Sequence, residues 1–144
     1  MSDRDVAVVL ANSAAFSRRD VDAMLAMYAP DAAVVDRRRV SLGTFRGHDE
    51  LRVYYESIFH TAAEMREEMT ILAARDGLVV THCDVIGRLA NQPAGAPEIT
   101  VPYGLVVRVE EGKIANLDLY ESGADALAAF EESQAGSGEA EGRV

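Results

Sequence analysis

His82 and Asp84 stand two residues apart in a segment, Leu78–Leu89, that is otherwise mostly valine, leucine and isoleucine. On an extended strand residues i and i+2 share a side, so the carboxylate could fix the imidazole tautomer and raise its basicity. Asp36 ends a second apolar stretch, residues 32–36. A carboxylate set in an apolar pocket has its charged form desolvated, which raises its pKa and suits it to proton shuttling near neutrality. Each candidate has a plainer alternative. Asp36 can be a rim residue paired with Arg37, Arg38 or Arg39, and the His82–Asp84 couple can be structural, or face solvent if the register slips by one residue.

Phenols are the next resource. Tyr54 and Tyr55 fall on one helical stripe with Leu51 and Ile58, and Tyr103 lies in a strand-like segment. Buried tyrosines are more often core than catalytic, yet one of the three can orient a substrate oxygen. His48 and His60 sit near the two ends of the same helical segment and read as surface residues. Cys83 is the single cysteine, so there is neither an intrachain disulfide nor a multi-cysteine zinc site, and no metal-ligand spacing occurs.

These groups need elements to place them. Val6, Val9, Leu10 and Ala14 recur at helical spacing and predict a first helix over residues 5–16. Asp20 reads as the N-cap of a short second helix ended by Pro30. Residues 32–36 read as a short strand, 43–47 as an irregular return, and a third helix follows. The period then changes to that of strands: residues 69–74, 78–89, 99–109 and 113–121 are rich in β-branched and apolar types. Turn residues join them at 75–77, 90–97 and 110–112, which predicts an antiparallel meander. A last helix is expected over 124–132. The fold class is therefore α+β: a curved antiparallel sheet forming a cone, covered by three N-terminal helices, with a short C-terminal helix and a cavity at the open end.

The chain has 144 residues and a net charge of −10, enough for one core and unsuited to nucleic acid or anionic membranes, both of which need a basic patch. The run Arg37, Arg38 and Arg39 reads as a solvated feature or as a clamp on an anionic group of a ligand. The single cysteine, and a start without the pattern of a signal peptide, fit a cytoplasmic protein. Residues 1–133 form the domain, and 134–144, poor in anything to bury, are expected to be a disordered tail.

The order of elements, with residues 27–36 (MYAPDAAVVD), 46–51 (RGHDEL) and 107–114 (VRVEEGKI), resembles the SnoaL-like branch of the nuclear transport factor two-like superfamily. Its relatives include ketosteroid isomerase, limonene-epoxide hydrolase and the polyether epoxide-opening cyclases. The resemblance covers residues 5–132. It implies a conical pocket into which Val34 and Asp36, His82, Asp84 and Ile86, Tyr103, Leu105 and Val107, and Leu117, Leu119 and Glu121 point. It places Cys83 on the opposite face, at a homodimer contact, and sets Asp36 where ketosteroid isomerase and the polyether cyclases carry a catalytic aspartate. The chain also departs from these relatives. Leu119 and Val34 replace the acid and the tyrosine that activate water in the epoxide hydrolase, and Asn12 and Leu105 replace the oxyanion-holding tyrosine and acid of the isomerase.

The resemblance thus implies an enzyme needing no cofactor or metal, acting by acid–base chemistry on a small apolar metabolite through cyclisation, isomerisation or epoxide opening. Asp36, His82 and Asp84 are its expected catalytic groups, and Tyr54, Tyr55, Tyr103, Leu105, Leu119 and Glu121 its expected substrate contacts. The alternative is a non-catalytic module of the same fold that binds a small ligand or dimerises.

Overall fold

A computed structural model describes residues 2–142, with side chains from 3 to 135. The element order is α1 (Ser2–Ser17), α2 (Val21–Ala26), β1 (Tyr28–Asp36), β2 (Thr44–Arg46), α3 (Gly47–Thr61), β3 (Ala62–Arg75), β4 (Leu78–Leu89), β5 (Ile99–Glu110), β6 (Lys113–Tyr120) and α4 (Gly123–Gly142). One curved, unclosed sheet runs β2-β1-β6-β5-β4-β3. The meander β3 to β6 is antiparallel, as its short connections require, and β1 adds in parallel to β6 with Val34 opposite Leu117 and Asp36 opposite Leu119. Two of its turns carry positive φ at both central residues, Asp76-Gly77 and Glu111-Gly112, the geometry that matches the twist of paired strands.

Asp20 caps α2, accepting from the Ala23 amide at 3.0 Å. Pro30 does not end that helix. It lies inside β1, which starts at Tyr28, and β1 leaves β6 between Tyr28 and Ala33, so the missing proline N–H breaks no ladder there. The buried residues of α1 are Val9, Asn12, Ser13, Ala15 and Phe16, with Val9, Asn12, Ser13 and Phe16 forming one stripe, while Leu10 and Ala14 face out. The spacing i, i+3, i+4, i+7 is the helical one, rotated from the expected stripe because two polar residues occupy its centre.

The helices α1, α2 and α3 cover the inner face of the sheet, where the main core gathers around Tyr28, Val34, Leu51, Tyr55, Val107 and Ile114. The helix α4 lies on the outer face, burying Ala126 and Phe130 against Val80 with Leu78, Val106 and Tyr120 alongside. It is helical to Gly142, past the expected end at Glu132 and through residues read as a tail. Arg143 and Val144, also read as tail, lie outside the described residues. Among the described residues no helix is long and apolar enough to cross a membrane.

Candidate active site

The inner face and the helices line a half-open cavity of about 260 Å³, a little below the usual size of ligand pockets. Val9 and Phe16 on α1, Ile58 on α3, and Leu105, Leu117 and Leu119 on the sheet supply apolar wall. Tyr54, Tyr55, Tyr103, Leu105 and Leu119 all line it.

Two carboxylates stand in that wall, both on β3: Glu64, which is ion-paired with Arg88, and Glu67, which has no such cation among the described residues. The helix α1 holds Glu67 at two points one turn apart. Ser17 Oγ accepts from the Glu67 amide at 2.9 Å, and the Ser13 hydroxyl donates to the carboxylate. From β5, the Tyr103 hydroxyl donates to Glu67 Oε2. Burial pushes this carboxyl up to about 7, against the lowering pull of Ser13, because the apolar cavity solvates the anion poorly and no described cation pairs with it. Near neutrality it therefore exchanges a proton readily, which is what a general acid or base needs. Tyr54 is pushed up to about 12 and Tyr55 well above its ordinary value, both mainly by burial. Tyr55 shares a 2.6 Å hydrogen bond with Tyr28. These phenols stay protonated and act as donors or acceptors of hydrogen bonds.

Asp36 does not line the cavity. Its carboxylate takes Arg38 Nε at 2.9 Å and Nη2 at 2.8 Å, and the Arg38 and Leu42 amides at 3.1 and 3.0 Å. Burial alone would raise its pKa, but these four bonds outweigh burial and hold it below 3.8. The backbone ends of the same loop close through Asp36 N–H to Gly43 O and Ser41 Oγ to Asp36 O. Asp36 thus organises the loop of residues 37–43 and, through it, sets Arg38 and Leu42 into the cavity wall. The rim pairing, and not the proton-shuttling environment, is what surrounds this aspartate.

His82 and Asp84 meet, Nε2 to Oδ1 at 3.3 Å, but on the outer face. The Gly123 amide, the first of α4, donates to His82 Nδ1 at 3.0 Å. The inward residues of this stretch of β4 are Cys83, which is fully buried in the main core, and Val85 and Gly87, which line the cavity. The expected register of β4 is thus off by one residue, which moves His82, Asp84 and Ile86 out and Cys83 in, away from any outer-face contact. Glu121 is also outside the cavity. The last strand ends at Tyr120, so alternation stops there, and the Glu121 carboxylate instead accepts from the Arg39 amide at 2.6 Å. Among the described residues no cluster of three or more His, Cys, Asp or Glu could hold a metal ion.

The description of the SnoaL-like domain matches residues 9–117, three quarters of the chain. The chain belongs to the SnoaL-like domain family. A presumed polyketide cyclase from Xanthomonas campestris pv. campestris is 26% identical, with a TM-score of 0.67 over 83% of this chain and 90% of that one. An NTF2-like protein of unknown function from Burkholderia pseudomallei is 23% identical, with a TM-score of 0.69 over 85% and 93%. A protein with a ketosteroid isomerase-like fold from Catenulispora acidiphila, solved in complex with trimethylamine, is 19% identical, with a TM-score of 0.69 over 84% and 89%. No curated protein matches the chain in sequence.

In this SnoaL-like domain, then, the expected phenols and leucines converge on the cavity and the expected acids and histidine do not. Glu67 and Ser13 were not among the expected cavity groups, and Arg38 entered only as one of three arginines that could clamp an anionic group of a ligand. The signal for Glu67 was present: Met65, Glu67, Met69 and Ile71 alternate at period two, and the first three line the cavity. That alternation begins in the charge-rich residues 64–68, ahead of the strand expected over 69–74, whereas β3 already starts at Ala62.

Proposed function

We propose that this SnoaL-like domain is an acid–base enzyme that moves a proton on a small, largely apolar metabolite, as a cyclase or isomerase does, with Glu67 as the proton carrier. One observation carries the reading: a carboxyl whose pKa is raised to about 7 stands in the wall of an apolar cavity, held by hydrogen bonds from Ser13 and Tyr103. A carboxylate deprived of water is a stronger base than one in solution, and its protonated form returns the proton without help from solvent. Tyr103 steadies the ionised form and leaves with the carboxyl a defined direction of attack.

Membership in a family whose structural neighbours include presumed polyketide cyclases supports carbonyl-rich substrates. Aldol-type closure and double-bond migration both begin with removal of a proton from carbon beside a carbonyl, which Glu67 can accept. Epoxide opening fits less well, because Leu119 stands where the epoxide hydrolases carry the acid that activates water.

The test is a panel of a tethered diketone, a β,γ-unsaturated ketone and an aryl epoxide, each incubated with wild type and Glu67→Gln. Turnover of either ketone, reduced at least about 100-fold in the variant, is the expected result. Saturable binding of the panel with no turnover by wild type would make the protein a binding module.

A further inference from the structure

We infer that Arg38 is the oxygen-recognising group of the cavity, selecting apolar molecules that end in a carbonyl, and that Asp36 acts only by aiming it. The inference deepens the acid–base reading, since it names the substrate class of the same site. Arg38 uses one edge of its guanidinium, Nε and Nη2, on the two oxygens of Asp36. No described residue accepts from Nη1, so the second edge, Nη1 with the other N–H of Nη2, is uncommitted. Arg38 lines the cavity and Asp36 does not, so the uncommitted edge is the one offered to a ligand.

Pinned on both oxygens and at its own amide, the guanidinium is pre-aimed, and a planar fork fixed in this way loses little freedom when a ligand oxygen arrives. The pairing with Asp36 also cancels most of its net charge, and Glu67, ionised when it acts as base, would repel an anionic ligand. The edge therefore suits a neutral carbonyl oxygen that gains charge during reaction, more than a ligand that is already an anion. Tyr54, whose phenol feels the charges of Arg38, Asp36 and Glu67, lies in the wall near both functional groups. When Glu67 takes the proton beside the carbonyl, the C–H electron pair moves into the C–C bond and the carbonyl π pair onto oxygen. That oxygen is then an enolate facing Arg38.

Binding of two probes matched in shape, 2-acetylnaphthalene and 2-isopropenylnaphthalene, tests this by calorimetry. Wild type is expected to hold the ketone about tenfold tighter than the hydrocarbon, the contribution of one charge-assisted hydrogen bond. Arg38→Lys keeps a cation for Asp36 but lacks the second edge, and a double variant with Asp36→Asn and Arg38→Gln removes the ion pair as a unit. The preference should fall below about threefold in each, with circular dichroism showing the fold intact. Glu67→Gln should keep the preference while losing turnover. No preference in wild type, or its survival in Arg38→Lys, overturns the inference and leaves Glu67-dependent proton transfer standing. Loss of turnover dependence on Glu67 with the preference intact does the reverse.

Discussion

Tyr103 on β5 hydrogen-bonds Glu67 on β3, reaching across the inner surface of the intervening β4. The link runs diagonally over β4, from Cys83, which pairs with Tyr103, to Val85, which pairs with Glu67. Burial raises the Cys83 thiol far above its ordinary pKa, so it stays a neutral filler beneath the link. The curvature of the sheet brings side chains from next-nearest strands within reach and gives a titratable group a fixed donor from each side, α1 and β5.

Glu67 should therefore dominate the pH dependence of stability near neutrality. Its pKa is about 7 in the folded chain against 4.5 ordinarily, so the folded state holds the proton more tightly than the unfolded one. The associated stabilisation is complete below 4.5 and is lost as pH rises to about 7. A shift of this size is worth at most about 3 kcal/mol. Urea unfolding across that interval should show wild type losing stability relative to Glu67→Gln, with parallel behaviour above about pH 8. Parallel curves throughout would mean that the carboxyl is not desolvated.

Asp36 is predicted to matter for structure and not for proton transfer. Asp36→Ala leaves the Arg38 guanidinium and the Leu42 amide without their acceptor, a cost of about 1–3 kcal/mol. Because its folded pKa is lowered, the stabilisation is present above 3.8 and disappears as pH falls through the folded value. The difference between wild type and variant should accordingly shrink in acid. Hydrogen exchange at Arg38 and Leu42 should quicken, and the pH profile of any turnover should keep its midpoint. A profile that loses its neutral midpoint in Asp36→Ala would return the catalytic role to this residue.

The fold was legible because turn chemistry and periodicity agree from one end of the meander to the other: Asp76-Gly77 and Glu111-Gly112 fix two hairpins, and Tyr103, Leu105 and Val107 alternate cleanly inward. The register of β4 was not legible. Val79 and Val80 are both fully buried, one against the helices of the inner face and one under α4, so hydrophobic alternation carries no information at that point. Once α4 covers the outer face, a polar pair such as His82 and Asp84 is as well placed outside as in. Ser13 was hidden for a related reason: a polar residue on a helix is read as exposed unless its partner, here Glu67, is known to be buried opposite.

His82 and Asp84 are expected to be dispensable for chemistry. His82→Ala deprives the first amide of α4 of its acceptor, worth about 1 kcal/mol and a loss of about 2–4 °C in Tm. Asp84→Asn should be milder, since its only described bond is the one to His82. Ketone turnover in both should remain within about twofold of wild type, because neither side chain reaches the cavity and distant sites act independently. A drop of about 100-fold in either variant would contradict the placement of these groups on the outer face.

Gly123 sets how closely α4 approaches the sheet. A Cβ at this position would stand 2.4 Å from His82 Cβ and 2.9 Å from its Cα, closer than carbon atoms approach, and the neighbour is a strand backbone that cannot move aside. Gly123→Ala should therefore lift the start of α4 and loosen Ala126 and Phe130 from Val80, costing about 1–3 kcal/mol as overpacking does. Protection of the β4 amides beneath the helix should fall with it. His82→Gly removes one of the two conflicting carbons. In that background Gly123→Ala should cost clearly less, by about 1 kcal/mol or more, as residues in contact couple. Equal cost in both backgrounds would show that the glycine serves the helix start itself and not the packing of α4 on His82.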